Sequence, residues 1–288
     1  MSSGVARLPY VPRYPHEAHA YELVLKRVVH DEPARSWLTA SHGALLESTP
    51  VTLPLVAAGE LVPSSSAAGY SFAIPVGRRV TVRVERTRTD AGELFVDLFR
   101  AVGSRYERIA GTLPRGELQP FSIDVIDGGD YVLRVQPAAG ATAAYTVDVA
   151  AQPLLAFPVE GVDQRSIWSG FGAERDGGRR AHRGVDIFAP RGTAALAATD
   201  GWVTRVETTR VGGNVVWMQP LFGNMRVYYA HLDAQWVQPG DFVVAGQVLG
   251  AVGNTGNAAT TPPHLHFGVY VRQPGVRGGA RDPKDFLH

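Results

Sequence analysis

Apolar residues recur with a period of two through residues 70–149: Tyr70/Phe72/Ile74, Val80/Val82/Val84, Leu94/Val96/Leu98, Phe121/Ile123/Val125, Tyr131/Leu133/Val135 and Tyr145/Val147/Val149. Successive side chains of a strand point to opposite faces, so each run can bury one face, whereas a helix built from it would scatter its apolar groups all round. Turn-forming segments at Pro75–Gly77, Asp90–Gly92 and Asp127–Asp130 separate several of the runs. Short alternating strands between such turns predict an antiparallel β-sandwich and a chain that is mainly β.

The flanks differ from this middle. The first fifteen residues, rich in Pro and Tyr, predict an extended arm. From His16 to about Val29, Tyr21, Val24, Leu25 and Val28 follow helical spacing, and Pro33 is placed to open a second helix carrying Trp37, Leu38 and Leu45. Pro50 and Pro54 mark the change to extended structure, and residues 59–69 predict a loop. A linker around 150–158 leads into residues 159–288, which predict strands and turns with little helix. The expected division is 1–58 as arm and helical segment, 59–152 as β-sandwich, and 153–288 as a compact antiparallel β domain.

Composition narrows the function classes. A net charge of +1 over 288 residues gives no footing for a general polyanion or nucleic-acid binder. No stretch approaches the ~18 apolar residues that span a bilayer, and the first residues lack the apolar core of a signal peptide. The chain has no cysteine, so a protein metal site must use His and carboxylate.

Four of the nine histidines fall in a pattern near the C-terminus: His182 and Asp186 in HRGVD, His231 in YYAHL, and His264 and His266 in HLHFG. On an extended strand His264 and His266 share one face, with Gly268 leaving space, while Leu265, Phe267, Val269 and Val271 face a core. His182 and Asp186 share a face if their segment is extended. HxxxD or a lone His is common by chance, but this ordered combination points to a metal site. Catalytic zinc takes three protein ligands and an open position, so five candidate groups leave two for proton work.

The segments HRGVDIFAPRGT, YYAHL and GNTGNAATTPPHLHFGVY resemble the lysostaphin/LytM-type zinc metallopeptidases, which cleave peptide stems or bridges of bacterial peptidoglycan. The resemblance covers about residues 165–288. It implies a groove over one sheet, zinc held by His182, Asp186 and His266, and His231 and His264 as further active-site residues. Thr193-Ala194-Ala195 departs from the family's usual Pro and larger apolar residue, which concerns packing. Residues 59–152 resemble, in pattern only, the β-sandwich accessory modules of secreted peptidases.

The implied activity is zinc-dependent endopeptidase hydrolysis of peptidoglycan cross-links or stems, in a periplasmic or secreted location. The alternative is a non-catalytic wall-binding or regulatory module keeping the metal-site fold. With no Glu in the motifs, histidine must supply the base, so activity should fall below about pH 6. Other features carry less. Gly253–Asn257 predicts a turn, and Pro239–Gly250 resembles a carrier-domain hairpin without an acceptor lysine, Lys26 and Lys284 lying far off. His16, His19, His30 and His42 are expected to be solvated or capping. Arg175, Asp176, Arg179 and Arg180 predict a groove wall or a solvated loop equally, and Trp168, Trp202, Trp217 and Trp236 are expected mostly in the core.

Overall fold

Pro33 occupies the first turn of a helix, where its missing N–H costs nothing. In the computed structural model, which describes residues 17–27, 31–63, 66–87, 93–112, 118–175, 177–221, 224–272 and 279–288, this helix is α2 (Glu32–Leu46), and α1 (Glu17–Arg27) precedes it. The arm, Val28 and Val29 of the first predicted helix, and Asp176 lie outside the described residues. The chain divides into two units, Met1–Gln152 and Pro153–His288. Among the described residues no helix is long and apolar enough to cross a membrane.

In the first unit α2 buries Ala34, Trp37, Ser41, Ala44 and Leu45 on one face. The Trp37 indole N–H donates to the Pro137 carbonyl at 2.7 Å, and the Tyr21, Trp37 and Phe95 rings pack within 6.0 Å of one another. Nine strands follow: β1 (Thr49–Pro50), β2 (Leu55–Leu61), β3 (Ala68–Ile74), β4 (Arg78–Arg86), β5 (Leu94–Val102), β6 (Arg105–Gly111), β7 (Phe121–Val125), β8 (Gly129–Pro137) and β9 (Ala143–Pro153). They form two sheets, β1-β3-β8-β5-β6 and β2-β9-β4-β7. One core joins both, with Phe72, Leu98 and Leu133 from the first sheet and Val82, Tyr145 and Val147 from the second.

Two parts of this unit differ from the expectation. Residues 59–61, expected in a loop, end β2, which pairs along its length with β9 and runs through position 58. Two of its three exposed alternate positions carry Val56 and Ala58 and only the last carries a polar residue, Glu60, so polar alternation does not mark it. β6 has no apolar alternation because it is the sheet edge, with charged Arg105 and Glu107 facing outward.

The second unit is built on a larger antiparallel sheet. In chain order its strands are β10 (Ile167–Ser169), β11 (Glu174–Arg175), β12 (Arg180–Ala181), β13 (Val185–Phe188), β14 (Ala194–Leu196), β15 (Gly201–Thr209), β16 (Gly213–Pro220), β17 (Met225–Gln235), β18 (Phe242–Val243), β19 (Val248–Val252), β20 (His264–Val271) and β21 (Ala280–Arg281). The sheet order is β10-β13-β20-β17-β16-β15-β18, with β14, β19 and β21 attached at its sides and β11–β12 a separate hairpin. Leu265, Phe267 and Val269 are fully buried together with Val185, Ile187, Val227 and Tyr229, so β13, β17 and β20 present one face to the core and the other to a groove.

The tryptophans are a correction. Trp168, Trp202 and Trp236 are 73%, 49% and 60% exposed, and Trp217 is half-buried. Aliphatic side chains fill this unit's core, and Trp202 packs on Phe242 at the surface.

Candidate metal and catalytic site

Three strands and a hairpin bring the five candidate residues together. The β13–β20 ladder sets Asp186 opposite His266 and Phe188 opposite His264. His182 arrives differently from the sequence expectation: it follows the β11–β12 hairpin, outside any strand, and the irregular step through Gly184 swings it beside Asp186. Gly184 is required there, because a Cβ would run into the Phe267 carbonyl and the His266 ring. His231 lies on β17 where the pairing with β16 shifts register, and its backbone φ of 64° is the one positive value for a non-glycine among the described residues.

Ligand atoms of His182, Asp186 and His266 converge within 4.8 Å. His182 Nε2 lies 2.9 Å from His266 Nδ1, and each lies 3.0 Å from Asp186 Oδ1. Donors at 2.0–2.1 Å from a tetrahedral zinc stand about 3.3 Å apart, so these three atoms fit one ion with shifts of a few tenths of an ångström. Two nitrogens and one oxygen are also the donor set that zinc accepts.

Backbone carbonyls set the tautomers. His182 Nδ1 donates to Gly170 O at 2.8 Å, His231 Nδ1 to Thr255 O at 2.9 Å, and His264 Nδ1 to Pro262 O at 2.9 Å. A carbonyl oxygen only accepts, so in each neutral ring the proton sits on Nδ1 and the lone pair on Nε2. That leaves His182 Nε2 free to ligate, and leaves His231 and His264 with basic nitrogens. The His231 and His264 rings are 5.1 Å apart, and His264 Nε2 lies 4.0 Å from Asp186 Oδ1.

Charge follows the geometry. Burial pushes the Asp186 carboxyl up, but His182 and His266, which donate to it and carry charge when protonated on both nitrogens, outweigh burial and hold the group well below the usual carboxylate range. Burial pulls His266 down against the Asp186 carboxylate. Burial, helped by His266 and His264, pulls His231 to about 4, so this ring stays neutral well below the pH 6 expected from an unperturbed imidazole.

The left-handed backbone at His231 costs a Cβ-bearing residue about 1–2 kcal/mol, a cost glycine escapes. His231→Gly and His231→Ala lose the same ring and its hydrogen bond, so their difference isolates the backbone. The Gly variant should be the more stable by about 1 kcal/mol in urea unfolding, with neither regaining function. An Ala variant as stable as the Gly variant would show that position 231 stores no strain.

The groove around these residues has a volume of about 660 Å³. Arg175 belongs to its wall: it donates to Asp186 Oδ2 at 2.7 Å and to Ser169 Oγ. Sequence reasoning left Arg175 undecided, because nothing local tells a loop arginine which strand it will face. Phe188, Tyr228 and Tyr270 also line the groove and were not singled out. Tyr270 shares parity with His264 and His266, so alternation along β20 carried a signal for it. Arg180, though exposed, also lines the groove, and Arg179 is exposed. His16 and His30 lie outside the described residues, and His19 and His42 belong to the first unit, on α1 and α2.

Comparison with known proteins finds relatives for this part of the chain. Residues 180–283 match the family model described as peptidase family M23. The L-Ala–D-Glu endopeptidase of Bacillus subtilis strain 168 is 38% identical over 113 residues, which is 37% of this chain and 34% of that protein. Glycyl-glycine endopeptidase ALE-1 of Staphylococcus capitis is 38% identical over 107 residues, covering 37% of this chain and 29% of the other. Among solved structures, the catalytic domain of the antimicrobial peptidase lysostaphin from Staphylococcus simulans is 36% identical, with 41% of this chain and 87% of that one covered and a TM-score of 0.37. The chain thus spans about a third or less of the length of these two curated relatives.

Proposed function

Taking as premise that residues 180–283 are a peptidase family M23 domain, we propose that this chain is a zinc-dependent endopeptidase that hydrolyses peptide bonds in bacterial peptidoglycan. The observation that carries the proposal is the convergence of His182, Asp186 and His266 on one point, beside two histidines whose Nε2 atoms are free acceptors.

His182, Asp186 and His266 would hold the zinc. When bound, zinc supplies a Lewis acid that polarises a carbonyl and brings the pKa of its water toward ~7. The remaining work falls to the chain. Arg175 fixes the outer oxygen of Asp186, keeping the inner oxygen turned to the two imidazoles. One of His231 and His264 accepts a proton as the attacking water forms its bond to the scissile carbon. The same ring, now protonated on Nε2, gives that proton to the amine as the C–N bond breaks, while the other ring accepts through its Nε2 and holds the water in line for attack. His231 enters the reaction neutral, because burial holds its pKa down.

Two relatives at the same identity are named for different bonds, L-Ala–D-Glu and Gly–Gly, so overall identity does not choose the bond here. Peptidoglycan lies outside the cytoplasmic membrane, and the proposed location is periplasmic or secreted. Residues 153–288 would be the catalytic domain and 59–152 an accessory domain. The test is digestion of purified sacculi by the full chain, with and without a chelator, and mass spectrometry of the soluble products. Muropeptides should appear, cease with chelator and return with added zinc. Release that persists in chelator, or no release from any sacculus, would overturn the proposal.

A further inference from the structure

The floor of the groove differs chemically from end to end. β20 sets His264, His266, Gly268 and Tyr270 in a row, and the residues opposite them on the neighbouring strands are Phe188, Asp186, Tyr228 and Arg226. At about 3.3 Å per residue, His264 and Tyr270 stand about 20 Å apart, and Tyr270 lies about 13 Å from His266. The His264 end is aromatic: Phe188 stacks on His264 at 5.0 Å and the exposed Trp168 stacks on Phe188 at 4.7 Å.

The Tyr270 end is cationic. Arg226 lies directly opposite Tyr270 on β17, and Arg183 lines the groove with Tyr270, near enough for its charge to reach the phenol. Both arginines are exposed, and among the described residues neither has an ion-pair partner. A second cavity of about 370 Å³ shares Tyr270 with the groove, and its described lining holds Arg226 and Arg272 but no acidic residue. The one carboxylate lining the groove, Asp186, is already held by Arg175. Glu207, whose charge reaches Tyr228, is on β15 and accepts from Arg205 at 3.4 Å.

Resting on the peptidase reading above, we infer that Arg183 and Arg226, beside Tyr270, form a carboxylate subsite, and that the substrate is a stem peptide with a free carboxylate three to four residues from the cleaved bond. Guanidinium groups hold a carboxylate through paired N–H donors, and an aromatic ring beside them removes part of the competing water. A neutral glycine run offers this end nothing to bind. A stem whose D-glutamate carboxylate is amidated keeps its shape and loses the charge.

That pair of ligands gives the test. The full chain is titrated calorimetrically with L-Ala-γ-D-Glu-L-Lys-D-Ala-Gly-Gly amide, whose D-Ala–Gly bond lies three residues from the D-glutamyl carboxylate, and with the same peptide carrying an α-carboxamide on the D-glutamyl residue, and cleavage of both is followed by mass spectrometry. The carboxylate peptide should bind about tenfold more tightly at low salt, with the ratio shrinking as salt rises. The ratio should fall to near one in Arg183→Gln/Arg226→Gln and survive in Arg183→Lys/Arg226→Lys. Equal affinities in the unaltered chain, binding of neither peptide, or an unchanged ratio in the double Gln variant would each overturn the inference. Binding with the expected ratio but no cleavage of either peptide would count against the peptidase reading and leave the subsite standing.

Discussion

Asp186→Asn should cut hydrolysis by about 1000-fold or more and weaken zinc binding by about 100-fold or more, in a chain that still folds. Asn matches Asp in shape, so the ladder position opposite His266 is kept. What changes is charge. The carboxylate is the one anion among the three converging groups, its inner oxygen lies 3.0 Å from both imidazoles, and its outer oxygen accepts a hydrogen bond from Arg175. An amide turned to offer its oxygen to the ion must point its N–H groups at the Arg175 guanidinium, donor against donor. Zinc would then be held by neutral groups beside an uncompensated cation. Competition titration with a zinc-binding dye, alongside muropeptide release and circular dichroism, checks both halves. A folded variant with near-normal zinc affinity would mean that Asp186 is not a ligand.

The second large effect belongs to the other unit and to stability. Asp97 is buried on β5, where Arg108 Nε donates to Oδ1 and Arg134 Nη2 donates to Oδ2, each at 2.7 Å. The Arg134 guanidinium also donates to Ser41 of α2 and lies 4.9 Å from the Phe99 ring. Asp97→Ala leaves two buried guanidinium groups without their shared anion, and breaking a buried pair in this way costs about 3–5 kcal/mol. A domain of ordinary size is stable by only about 5–15 kcal/mol, so this unit should be at or near unfolding. Calorimetric melting of the full chain should show an early transition, with hydrogen exchange assigning it to residues 31–152. A loss below 1 kcal/mol would show that water reaches and solvates the arginines once the carboxylate is gone.

Neither of these residues was equally readable beforehand. Asp186 stood out because HxxxD, YYAHL and HLH occur together in a cysteine-free chain. Asp97 sits in the same alternating run as Leu94, Val96 and Leu98, on the opposite parity, and that parity predicts a solvated residue. It is buried instead because α2 covers the outer face of its sheet, a contact between residues far apart in sequence. The exposed Trp168 erred in the opposite direction: indole size argues for burial, but its strand is the sheet edge. β2 was missed because its Gly59-Glu60-Leu61 end has the composition of a loop, and the β9 ladder that makes it a strand lies more than 80 residues away.

The amino-acid order alone determined the two-residue period, the face shared by His264 and His266, the residues able to hold a metal without thiolates, and the family resemblance. All of these are local, because strand parity and side-chain chemistry belong to a few neighbouring residues. Only the tertiary structure decided that β13 lies beside β20 in the register that faces Asp186 with His266. It also decided that a hairpin carries His182 and Arg175 to the same carboxylate, and that Arg226 stands opposite Tyr270 in the groove that Arg183 lines. Those depend on which distant strands pair and in what register, and that is set by the packing of the whole core.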